Sequence, residues 1–214
     1  TQALSVGSRT ARKLLEQQQR FMRFLEKEGR LNRALEFLPD DETIADRRAA
    51  GLALTAPERA VLLAYAKMWL SDALLASDLP EDPWVAGALA HYFPEKVRTR
   101  FAADIERHPL RREIIATQLL NDMVNRVGPS FVYQMTSGTG STPAQVVRAY
   151  LLTREVFALR PTWKAIEALD NVVSDEMQAE LLMELGRRTV RATTWFLRSR
   201  RLAELPVESI NKIE

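Results

Sequence analysis

Apolar residues recur at three- and four-residue intervals along almost the whole chain, the spacing that lines one face of an α-helix. Residues that start or stop helices stand between these stretches. Gly29 and Gly51 follow periodic segments, as C-terminal caps do. Pro57, Pro83, Pro94, Pro109, Pro129, Pro143 and Pro161 stand near the starts of the next ones, where a missing N–H does no harm. Thr55-Ala56-Pro57-Glu58 has capping-box spacing, and Asp82-Pro83 and Thr142-Pro143 read as a cap followed by proline. The pattern predicts about ten helices, near 9–28, 31–37, 41–50, 56–76, 83–92, 94–107, 109–127, 130–137, 143–158 and 161–170, and a last long one over 175–201. No alternating run is long enough for a strand. The expected fold is therefore all-α: a compact multi-helix bundle with no significant sheet. One domain over 1–214 is expected, with terminal helices at 1–30 and 175–201 packed more loosely. The weakest junction, "TSGTGST" at 136–142, is short enough for an interhelical turn.

Composition sharpens this picture. The chain of 214 residues has no cysteine, which excludes disulfides, thiol nucleophiles and cysteine-held metal clusters. Its only imidazoles are His91 and His108, too few for a histidine-rich metal site. A net charge of +2 conceals a segregated layout. Residues 1–33 carry +5 and 187–201 carry +6, whereas 34–186 carry −7. Only 6 of the 30 basic residues are lysine, so the excess is arginine, the side chain suited to bidentate pairing with carboxylates. Such ends are expected to meet acidic surfaces of the same chain or a partner. No stretch is apolar for long enough to span a membrane, and no signal peptide is visible. A start at Thr1 rather than Met predicts a piece of a longer polypeptide.

Candidate chemistry is sparse. "SGTGS" at Ser137–Ser141 lacks the preceding strand and following lysine of a phosphate loop and reads as a turn. Lys67, set in "VLLAYAKMWL", reads as a lysine at the edge of a buried stripe rather than as a nucleophile. The acidic pairs Asp40-Asp41, Glu81-Asp82 and Asp175-Glu176 stand at helix starts, where the helix dipole favours them without any catalytic role. His91 and His108 read as packing or capping residues. The densest polar group in an apolar helix is "NDMVNR": Asn121 and Asn125 on one face, Asp122 and Arg126 on another. These four are expected to form a structural or interface polar network. Arg187, Arg191 and Arg198 share a second, basic face, read as a protein interface rather than a nucleic-acid footprint. No catalytic, cofactor-binding or metal-binding residue is assigned, and neither nucleic acid nor membrane is expected as a partner.

Three long strings resemble one family. "LNRALEFLPDDETIADRRAAGLALTAPERAVLLAYAKMWLSDALLASDLPEDP" (31–83), "RREIIATQLLNDMVNRVGPSFV" (111–132) and "AYLLTREVFALRPTWKAIEALDN" (149–171) are similar, in that order, to the C-terminal region of the large bacterial NAD-specific glutamate dehydrogenases. A departure stands at 54–59, "LTAPER", where the family reads closer to Leu-Thr-Arg-Pro-Glu-Leu. The resemblance implies a very long cytoplasmic parent, a homo-oligomer, that deaminates L-glutamate to 2-oxoglutarate and ammonia while reducing NAD. It places the dinucleotide fold and the catalytic lysine and aspartate upstream, so this chain would pack on upstream dehydrogenase domains in a structural, assembly or regulatory role. Two other classes fit a helical chain with basic ends: a free-standing transcription regulator and a protein-docking scaffold. A helix-turn-helix at the start fits poorly, because the first helix is long and ends at Gly29.

Overall fold

A computed structural model describes residues 2–199, with side chains from Leu15 onward. Its α-helices are α1 (Gln2–Lys27), α2 (Asp41–Ala49), α3 (Ala56–Leu75), α4 (Gly87–Tyr92), α5 (Glu95–Arg100), α6 (Ala102–Glu106), α7 (Arg111–Val127), α8 (Phe131–Thr139), α9 (Pro143–Val156), α10 (Leu159–Glu167) and α11 (Asp175–Arg198). Short 3-10 turns at Leu79–Glu81 and Pro83–Val85 lead into α4. No strand occurs among the described residues, so the all-α expectation holds. Arg200 and Arg201, placed by the periodicity at the end of the last helix, lie outside the described residues.

The start signals work as the sequence predicts. The Thr55 hydroxyl accepts from the Glu58 amide while the Glu58 carboxylate accepts from the Thr55 amide, a complete capping box. Thr142 and Gln145 repeat it at α9. Asp40 caps α2, accepting from Thr43 N at 2.8 Å. Asp82 accepts from Trp84 N, but what it caps is a 3-10 turn.

Several predicted helices change. Residues 31–37 form turns instead of a helix. The Asn32 side chain accepts from the amides of Ala34 and Leu35, offering this stretch a local alternative to helical bonding. Phe37 then takes a positive φ of 52°, and the following Leu38-Pro39 step disfavours helix. The stretch is held by Arg33, which forks onto both oxygens of Glu26 in α1 and donates to Asp41 of α2 at 2.9 Å. Second, the helix expected over 94–107 breaks at Phe101, where φ −125° and ψ 32° leave the helical region. Third, α9 stops at Val156 and α10 starts at Leu159, two residues before Pro161, because Ala158 adopts the left-handed conformation between them.

Helix α9 stands at the centre. Every residue from Ala149 to Arg154 is buried, the mark of a helix enclosed on all sides. It packs on α11 most extensively and also touches α3, α7, α8 and α10. Its Thr153 hydroxyl donates to the Ala149 carbonyl at 2.9 Å, so its oxygen accepts from Thr193 of α11 at 3.1 Å. Both threonines are fully buried. Helix α1 closes the other side of the core. Its Phe21 and Phe24 meet Trp69 of α3 and Tyr133 of α8, with Phe24 and Tyr133 ring centres 5.0 Å apart.

Two expectations follow. Ala158 holds a left-handed φ of 46° that costs an L-residue about 1 kcal/mol and costs glycine almost nothing. Ala158→Gly is expected to raise stability by about 0.5–1 kcal/mol in urea denaturation. The second concerns acid. Burial pushes the Glu58 carboxyl up, but Arg47 at 2.6 Å and the Thr55 amide outweigh it and hold the group below the ordinary glutamate value. A depressed carboxyl stabilises the fold above its unfolded-state pKa, about 4.3, and that contribution fades as pH falls through the lower folded value. Glu58→Gln is expected to flatten the loss of stability measured by denaturation below about pH 4.3.

Candidate functional site

A cluster of charged groups lines a cleft of about 620 Å³ formed by α4 with its 3-10 entry, α7, α9 and α10. Helix periodicity builds it. Gln118, Asp122 and Arg126, spaced by four, stand along one edge of α7. Arg154 and Glu155 come from the last turn of α9, and Arg160, Trp163 and Lys164 from the first turns of α10. Trp84 and His91 form the opposite wall.

Arg154 is the buried centre of this cluster. Its side chain is 10% exposed, and Nη1 donates to Asp122 Oδ2 at 2.6 Å while Nε donates to Glu155 Oε1 at 2.6 Å. Burial works against the charged guanidinium, but the two carboxylates outweigh it and raise the Arg154 pKa further. Beneath it lies Tyr150, fully buried, whose hydroxyl donates to the Asp122 main-chain oxygen. Burial, with the Asp122 charge beside it, pushes this phenol far above the ordinary tyrosine value, so it stays protonated. Arg126 stacks over Trp163 with the guanidinium carbon 4.8 Å from the ring centre and donates to Glu167. The ion pairs thus run from α7 to α9 and from α7 to α10.

The four residues of the predicted polar network divide here. Asp122 and Arg126 line the cleft and reach other helices. Asn121 and Asn125 are half-buried on the neighbouring face of α7, and Asn125 Oδ1 is buried with no hydrogen-bond partner. Arg154, the partner of Asp122, and Trp163 and Glu167, the partners of Arg126, cannot be grouped with them from sequence spacing, because they fall in two other helices. The basic face is a separate place. Arg187, Arg188 and Arg191 converge on the Glu184 carboxylate of their own helix, at 2.8, 3.2 and 3.4 Å. Arg187 chiefly, then Arg188, hold Glu184 below its ordinary value. Arg198 is exposed at the helix end.

His91 Nδ1 lies 2.7 Å from the Gly87 carbonyl, and His108 Nδ1 accepts from the Leu110 amide. Burial alone lowers the Lys67 pKa. Ser137–Ser141 is a helix end and a turn, with Gly140 at φ 73°; this is not the strand-to-helix crossing that cradles a pyrophosphate. No group of three or more acidic or imidazole side chains is placed to hold a metal among the described residues. No described helix is long and apolar enough to cross a membrane.

Burial sorts these arginines by energetic weight. Arg154→Met leaves Asp122 and Glu155 without their shared cation and is expected to cost about 3 kcal/mol in urea denaturation. Arg187→Gln, at an exposed pair on a single helix, is expected to change stability by less than about 0.5 kcal/mol.

Comparison with known proteins agrees with the strings singled out in the sequence. The chain is 44% identical over 201 residues to the NAD-specific glutamate dehydrogenase of Pseudomonas aeruginosa, covering 94% of this chain and 12% of that protein. It is 40% identical over 200 residues to the enzyme of the same name from Halomonas elongata, covering 94% and 12%. With that of Mycobacterium tuberculosis it shares 36% identity over 179 residues, covering 84% and 11%. The chain therefore spans about an eighth of the length of these curated relatives. The family model described as glutamate dehydrogenase, C-terminal, matches residues 51–212, and the chain belongs to that family.

Proposed function

We propose that this chain is a non-catalytic helical domain of an NAD-specific glutamate dehydrogenase, in which it packs on the upstream dehydrogenase domains. The parent reaction would be L-glutamate, NAD and water giving 2-oxoglutarate, ammonia and NADH, in a cytoplasmic homo-oligomer. The observation that carries the reading is the near-complete match of the chain to one terminal eighth of its relatives. The site geometry supports it: Asp122, Glu155, Arg126 and Arg154 act as ties between helices rather than as a poised acid and base.

The surface supports it too. Phe37 is 90% exposed on the α1–α2 connection, and Leu35, two residues earlier, is exposed as well. Trp195, on α11 between Arg191 and Arg198, is 65% exposed. Large apolar groups in such settings suit contact with another protein surface, and the arginines suit an acidic one. The upstream polypeptide is the occupant proposed for both.

Deleting this segment from the full-length polypeptide tests the reading. NAD reduction with L-glutamate is expected to fall steeply, with a change in oligomeric mass, while the segment alone should give no turnover. Unchanged activity and mass after deletion, or turnover by the segment itself, would refute it.

A further inference from the structure

We propose that the cleft between α4, α7, α9 and α10 binds a small carboxylate- or phosphate-bearing anion through Arg160 and Lys164. The inference goes beyond the packing role and does not depend on it. Four cations line the cleft, Arg126, Arg154, Arg160 and Lys164, against two carboxylates, Asp122 and Glu155. Both carboxylates are engaged by Arg154. Arg160 and Lys164 are exposed, and no carboxylate lies within ion-pair distance of either among the described residues. They are four apart on α10, a spacing that sets their Cβ atoms about 6 Å apart on one helix face, where two like charges cost a few tenths of a kcal/mol. An anion held between them reverses that repulsion.

The rest of the cleft suits such a ligand. Its volume of about 620 Å³ is in the range of small-molecule sites. Trp84 and Leu151 supply apolar wall for an organic body, while Arg126, paired with Glu167, is held over Trp163 on the α7 side. The Arg154 tie joins α7 to α9 and the Arg126–Glu167 pair joins α7 to α10, so three of the walls are held to one another before a ligand arrives.

The test uses the full-length polypeptide. Hydrogen exchange of the α10 amides is followed while inorganic phosphate or succinate is added at constant ionic strength set by sodium chloride. Saturable slowing at 159–167 is expected. Arg160→Gln with Lys164→Gln should weaken it about tenfold or more, as loss of two charged contacts predicts. Both residues are exposed, and unchanged exchange in α3 checks that the fold is kept. Arg187→Gln with Arg191→Gln should leave the response unaltered. A response to phosphate alone identifies a phosphate ligand and one to succinate alone a carboxylate ligand; both support the site. No saturable slowing with either anion, or equal weakening by the two double variants, overturns it.

Discussion

Burying α9 on every side constrains the rest of the molecule. A helix enclosed from Ala149 to Arg154 has no solvent face for a polar residue, yet Thr153 and Arg154 belong to the enclosed run. Each must find its partners inside. Thr153 finds them in its own helix and in α11. Arg154 needs carboxylates, and these come from Asp122 on α7 and from Glu155, the next residue. The positions of α7 and α11 around the central helix follow from these demands as well as from apolar packing. Asp122 is still 31% exposed, so the pair sits at the inner edge of the cleft rather than deep in oil. That position lowers the cost of desolvating it while leaving the contact strong.

The sequence disclosed the helices far better than it disclosed the site. Capping chemistry is local, so Thr55 with Glu58 and Thr142 with Gln145 could be read directly from spacing and appear as read. The failures were also local but needed conformational detail. Asn32 competes for backbone amides in a segment whose apolar spacing still looked helical, and a left-handed Ala158 has no signature, since alanine is the best helix former. The cleft was half legible. Asp122 and Arg126 stood out as charges inside an apolar helix. Arg154 did not, because "AYLLTREVF" looks like an ordinary amphipathic end until α9 proves to be enclosed. Which helices face one another is a tertiary fact, and so Glu167 and Trp163 could not be joined to Arg126 from spacing alone.

The charge layout takes on a more specific meaning in three dimensions. Part of the basic excess near the N-terminal end is spent internally: Arg33 joins Glu26 and Asp41, and Arg30 reaches Asp72 on α3. Asp41 is held well below the ordinary carboxylate range by Arg33, with Gln19 and Arg23 adding to it. The excess on α11 differs, because Arg187, Arg188 and Arg191 share the single carboxylate of Glu184 and keep a net positive surface. Among the described residues, the acidic middle of the chain thus pairs Arg23, Arg30 and Arg33 near one end and offers one carboxylate to three arginines at the other.

The buried threonine pair between α9 and α11 sets the register of the two longest-contacting helices. Sliding α11 along α9 by one turn, about 5.4 Å, would separate the hydroxyls and bring other side chains opposite Thr153. No water is at hand there to repair the loss, since both side chains are fully buried. A displacement of α11 that keeps this bond carries α9 with it. A one-turn ratchet between them would cost about 1–3 kcal/mol in unpaired hydroxyls, and through Arg154 a joint motion would reach the walls of the cleft.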